Sequence, residues 1–167
     1  MIFKNINKNF KLTLLILFVV FILDRISKEY VIFLNNQNLN QDLFISSFLN
    51  ITLIWNNGIA FGLFSFEDDT FYNVITILIS TIIIVLLYLI SKTEKLKKYS
   101  YIIISGGALG NLYDRIIYKS VPDFIDLHIN NFHWFIFNIA DIFITFGIVC
   151  LIYDEIFIEK KNIKNNF

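Results

Sequence analysis

Three stretches of the chain, 71–90, 99–118 and 134–153, are each about 20 mostly apolar residues long, the length of helix that crosses the hydrocarbon core of a bilayer. Inside hydrocarbon every backbone N–H and C=O must be satisfied within the segment, so runs of this kind read as helices. A fourth apolar run, 12–23, is too short alone. It becomes a span if its helix continues through Asp24, Arg25 and Ser27, which a protein-lined or interfacial end permits. Lys4, Lys8 and Lys11 precede this run as in a signal peptide, but "DRISKEY" follows it where small residues would mark a cleavage site, so retention as a helix is expected. Hydrophobic residues make up 56% of the chain, more than a soluble core of this size needs.

Basic residues orient the spans. With both termini and the loop "SKTEKLKK" on the cytoplasmic side, Lys4, Lys8, Lys11, Lys92, Lys95, Lys97, Lys98, Lys160, Lys161 and Lys164 all lie inside. Arg25, Lys28, Arg115 and Lys119 remain toward the outer face. The first outer segment, 34–70, contains "FLNITLIWNNGIAFGLF", whose β-branched and aromatic residues and Asn-Asn-Gly turn signal predict short strands against the membrane surface. The second, 119–133, is polar and contains Pro122. The expected fold class is therefore mainly α: one membrane-embedded domain over 1–167, with four transmembrane helices and a small β-rich cradle on the outer face.

On this topology the acids converge. Asp24 falls at the outer end of the first span, Asp114 at the outer end of the third, Asp141 within the first two turns of the fourth, and Asp123 in the outer connection between the last two. An intramembrane carboxylate normally faces protein, a partner or a water-filled cavity. Asn138 and Asp141 share one helical face at i,i+3 spacing, and Asn111 and Asp114 repeat the device one span earlier. Gly106 and Gly110 form a G-x-x-x-G pair that lets helices approach closely. Two carboxylates at ~4 Å with an effective dielectric of ~20 repel by about 4 kcal/mol, enough to hold a proton on one of them. Such a pair can activate water with its anionic member and hydrogen-bond an amide carbonyl with its protonated member.

Plainer roles compete for the same residues. Asp24 and Lys28 are spaced for an i,i+4 ion pair, Asp114 and Arg115 for anchoring a helix end or supporting a neighbour, and Asp141 for a helix-start acid. Glu67, Asp68 and Asp69 suit the N-terminus of the second span. His128 and His133 lie near Asp126, but their i,i+5 spacing fits no helical ligand motif, so no metal site is expected. Ser105 has no histidine at its depth for nucleophilic catalysis. The lone Cys150 excludes an internal disulfide or a cysteine-based metal site. Zero net charge and the lack of a basic patch interleaved with aromatics exclude nucleic-acid binding. Ion or proton transport is the alternative function, although transporters bind near the midplane between duplicated halves, and here the acids gather at one edge without a repeat.

The chain resembles the lipoprotein signal peptidases, or signal peptidase II, along nearly its whole length. The resemblance rests on "DRISK" (24–28), "NNGIAFG" (56–62), "GGALGNLYDR" (106–115), "VPDFID" (121–126) and "FNIAD" (137–141), in this order across the four spans. Asn57 stands where the family commonly has threonine, and Pro122 occupies a variable position. The resemblance implies a bacterial inner-membrane aspartic endopeptidase that removes signal peptides from diacylglyceryl-modified prolipoproteins on the amino side of the lipidated cysteine. It implies Asp123 and Asp141 as the catalytic pair, with Asp24, Lys28, Asn56, Gly58, Asn111, Asp114, Arg115, Asn138 and Ala140 as supporting or substrate-contacting positions. Residue spacing alone does not rank Asp123 above Asp114. The expected partners are the lipidated precursors and membrane lipids, with no cofactor, and a monomer suffices for a pair within one chain.

Overall fold

The computed structural model describes residues 2–37, 43–58, 69–130 and 132–159. Among these, the elements follow one another as α1 (Ile2–Gln37), β1 (Leu43–Ser46), β2 (Leu49–Asn56), α2 (Asp69–Lys92), α3 (Lys95–Tyr118), β3 (Val121–Ile129), β4 (Phe132–Phe137) and α4 (Ile139–Tyr153), and a π-helical turn (Asp154–Glu159) extends α4. Glu67 and Asp68, expected to flank the second span, and 59–62 of the "NNGIAFG" motif lie outside the described residues, as do Lys160, Lys161 and Lys164.

The first helix does run on through Asp24, Arg25 and Ser27. Their polarity is tolerated because protein surrounds it: Asp24 and Lys28 have no exposed surface, whereas Phe18, Ile26 and Tyr30 on the same helix are more than half exposed. Helix α2, over Tyr72–Lys92, is the one described helix long and apolar enough to cross a membrane on length and composition alone.

Helix α3 is the hub, packed by α1, α2 and α4. A Cβ on Gly106 would lie 2.8 Å from Val20, and one on Gly110 would run into the Asp24 carboxylate, so the G-x-x-x-G pair is where α1 crosses. The neighbouring Gly107 turns toward α4, where a Cβ would come within 2.6 Å of the Ala140 carbonyl oxygen.

The outer segments build one antiparallel sheet in the order β1-β2-β3-β4. Strands in the first outer segment follow the expectation. The polar 119–133 segment joins the same sheet: Lys119, in the left-handed region with φ 55°, caps α3 and turns the chain into β3. From Val121 to Phe124 β3 is buried, held between β2 and β4 and resting on α1 and α3.

The fourth span also needs correction. It was expected from Trp134, but "FHWFIF" forms β4 and the helix begins at Ile139. Hydropathy does not distinguish an apolar strand from an apolar helix. Aromatic and β-branched residues suit strand pairing, here with β3, and Asn138 supplies the helix start.

Candidate active site

Under the sheet lies a cluster of four charged side chains from α1 and α3. Lys28 Nζ is 2.9 Å from Asp24 Oδ2 and 2.7 Å from Asp114 Oδ2, while Arg25 Nη2 is 2.6 Å from Asp114 Oδ1 and 3.3 Å from Asp24 Oδ2. Two acids and two cations cancel, which is what permits them to be buried together. The i,i+4 pair of Asp24 and Lys28 is thus present, and Asp24 reaches further, accepting the Ala140 N–H at 3.0 Å through Oδ1.

Lys28 carries a third donated bond, 2.7 Å to Asn111 Oδ1. An ammonium group can only donate, so the Asn111 oxygen must face it and the amide NH2 must face away. That NH2 donates to Asp141 Oδ1 at 2.9 Å. The charge cluster therefore orients a neutral donor toward Asp141 without touching it.

Asp141 sits in the first turn of α4 and forms a reciprocal cap with Asn138: Asn138 Oδ1 accepts from Asp141 N–H at 3.1 Å, and Asp141 Oδ2 accepts from Asn138 N–H at 3.2 Å. With its oxygen committed, Asn138 points its NH2 at Asp123 Oδ1, 2.6 Å away. Asn56, at the end of β2, donates to Asp123 Oδ2 at 2.8 Å, its own oxygen held by the Gly58 N–H at 2.8 Å. The two carboxylates thus meet across Asn138, one on a strand and one on a helix, both nearly buried.

Burial pushes the Asp123 carboxyl up to about 6, and the charge of Asp141 adds to the rise; the amide bonds from Asn56 and Asn138 oppose it. Asp114 differs in kind, because its carboxylate is neutralised by Lys28 and Arg25. Arg115 Nη2 donates to the Gly58 carbonyl, and Tyr72 OH donates to the Arg115 carbonyl at 2.7 Å, tying α2, α3 and the end of β2 together. A cavity of about 760 Å³ opens beside Asp141, walled by Phe48, Phe132, Trp134, Ile142 and Phe146.

All eleven candidate residues fall within this one assembly. Arg25 and Tyr72 were not singled out from sequence, although Arg25 stands inside "DRISK" and its position beside Asp24 was a usable signal. No metal site is expected at Asp126, His128 and His133 from helical spacing; the segment folds instead as the β3–β4 hairpin, which sets His128 opposite His133 and brings ligand atoms of all three side chains within 4.8 Å of one another.

Comparison with known proteins places these motifs in context. A family model described as "Signal peptidase (SPase) II" matches residues 16–157. The lipoprotein signal peptidase of Pelagibacter ubique (strain HTCC1062) is 53% identical over 154 residues, covering 92% of this chain and 93% of the relative. That of Francisella tularensis subsp. mediasiatica (strain FSC147) is 45% identical over 151 residues, covering 87% and 94% respectively. A solved bacterial membrane enzyme superposes with a TM-score of 0.70 at 34% identity, covering 88% of this chain and 94% of that one.

Proposed function

The chain belongs to the signal peptidase II family, and from that premise we propose that Asp123 and Asp141 are its catalytic pair. The protein is an aspartic endopeptidase of the bacterial inner membrane that removes signal peptides from diacylglyceryl-modified prolipoproteins, cleaving on the amino side of the lipidated cysteine by carboxylate-activated water. The observation that carries the assignment is the bridging of Asp123 and Asp141 by Asn138, with Asp123 holding its proton up to about 6.

The proton rests on Asp123, which hydrogen-bonds the scissile carbonyl, and ionised Asp141 takes a proton from the attacking water. As the tetrahedral intermediate collapses, Asp141 returns that proton to the departing amine. Asn56, Asn111 and Asn138 hold both carboxylates in place, so little reorganisation accompanies the transfer. Lys28, Asp24, Asp114 and Arg115 position these amides and the backbone at Gly58 and Ala140. The apolar cavity beside Asp141 receives the signal peptide and acyl chains laterally from the membrane. Both termini lie in the cytoplasm and the pair works near the outer face. One chain supplies both acids, which supports a monomer and a single domain.

Incubating the purified protein with a diacylglyceryl-modified precursor is expected to yield a product beginning at the lipidated cysteine, as read by mass spectrometry. Asp123→Asn and Asp141→Asn are each expected to lower kcat by at least about a thousandfold while eluting as folded protein, since each removes a proton-transfer partner. Near-normal cleavage by either variant refutes the pair.

A further inference from the structure

Outside the catalytic pair, the β3–β4 hairpin gathers the protein's two histidines around a buried acid. Asp126 and His128 are two residues apart on β3, with a β-bulge between them in the pairing with β4. His133 stands opposite His128 on β4, and the two rings stack with centroids 5.1 Å apart. His133 Nδ1 lies 2.9 Å from Asp126 Oδ2 and His128 Nδ1 lies 3.9 Å from the same oxygen. The His128 side chain is nine-tenths buried, yet its Nδ1 has no hydrogen-bond partner although it is aimed at the Asp126 carboxylate. A buried, unpaired ring nitrogen is costly, and something with an affinity for both nitrogen and carboxylate oxygen would relieve it.

We propose that Asp126, His128 and His133 form a binding site for one divalent transition-metal ion of the zinc class. Zinc binds histidine nitrogen at about 2.0–2.1 Å and carboxylate oxygen at about 2.0–2.2 Å, so tetrahedral ligand atoms sit about 3.3 Å apart. Separations of 2.9 and 3.9 Å straddle that value, and all three ligand atoms lie within 4.8 Å of one another. Two neutral imidazoles and one carboxylate are a donor set for zinc, copper, nickel or cobalt rather than for calcium or magnesium, which favour oxygen. His133 is about half exposed, which leaves a fourth position to water and a route of entry from solvent. The ion would fasten β3 to β4, the two strands that lead from Asp123 to Asn138, and so stiffen the frame of the site without joining the chemistry.

The test uses untagged protein in detergent, stripped with chelator, and titrated with Zn2+ by calorimetry and with Co2+ by visible absorption. One saturable equivalent is expected, with Co2+ d–d bands of a low-coordinate nitrogen and oxygen site. His128→Ala and His133→Ala should each weaken binding at least about tenfold, a loss on the scale seen even for outer partners of metal ligands. His133→Ala alters an exposed side chain and should keep its fold and its metal-free cleavage activity. Asp123→Asn should bind metal as the parent does. The proposal is overturned if no saturable equivalent binds, if the double histidine variant binds undiminished, or if Asp123→Asn loses the site.

Discussion

Three asparagines converge on two carboxylates, and a group able to play only one part sets each amide. Lys28 can only donate to Asn111, the Gly58 N–H can only donate to Asn56, and the Asp141 N–H can only donate to Asn138. Each NH2 is thereby aimed at an acid. Asp123 is held by neutral amides and Asp114 by two cations, so the proposed proton carrier and its neighbouring acid stand in different surroundings. Spacing along the chain could not show it, since both acids simply lie at the outer edge. Because Asp123 titrates near 6, kcat/KM is expected to fall as pH rises through about that value and the shared proton is lost. The Asn56 bond favours the ionised form, so Asn56→Ala should move this limb to higher pH; an unmoved limb in a folded variant argues against Asp123 as the proton carrier. Stability follows the same sign. The native state binds this proton more tightly than a free aspartate, with its reference value of 3.8, so the contribution is full below that value and is lost as pH rises through about 6. Thermal unfolding of Asp123→Asn should show a flatter pH dependence over that window.

At the scale of elements, helix approach and helix start decide what the side chains can reach. Alanine in place of a mid-helix glycine usually stabilises by about 0.5–1 kcal/mol. Gly110→Ala should do the opposite, costing about 1–3 kcal/mol, because its methyl group meets the Asp24 carboxylate where α1 crosses α3. Thermal unfolding in detergent measures this, and a rise in stability would show that α1 can withdraw without loss. Lys28→Met is expected to cost more, about 3–5 kcal/mol, since it leaves buried acids short of a cation. The glycine spacing and the first helix's passage through Asp24 were readable from local pattern. The start of α4 was not, because "FHWFIF" is equally apolar as strand or helix and only pairing with β3 decides between them.

Among the described residues, polar and charged side chains are buried beside an apolar core while many large apolar ones face outward. Asp24, Lys28, Asp114 and Asn138 are fully buried, while Ile77, Ile84 and Tyr88 on α2 are at least 60% exposed, an arrangement suited to hydrocarbon as the surrounding medium. Lys97, at the start of α3, pairs with Glu155 at 3.0 Å, joining the α2–α3 connection to the far end of α4. That end is expected in the cytoplasm. In a Cys150→Ser background, a cysteine at position 119 should react with an impermeant maleimide in spheroplasts and one at position 95 only after permeabilisation; the reverse pattern would invert the proposed topology. Spans were legible in the sequence because the transfer free energy of a segment depends mainly on its own residues, and lysine placement supplied an orientation for the same local reason. The meeting of Asp123 with Asp141 across Asn138, and of His128 with His133, depends on where distant segments fold back and pair. Residue patterns could name those side chains, directly or by family resemblance, but their separations and the partners that orient them arose only when sheet and helices packed together.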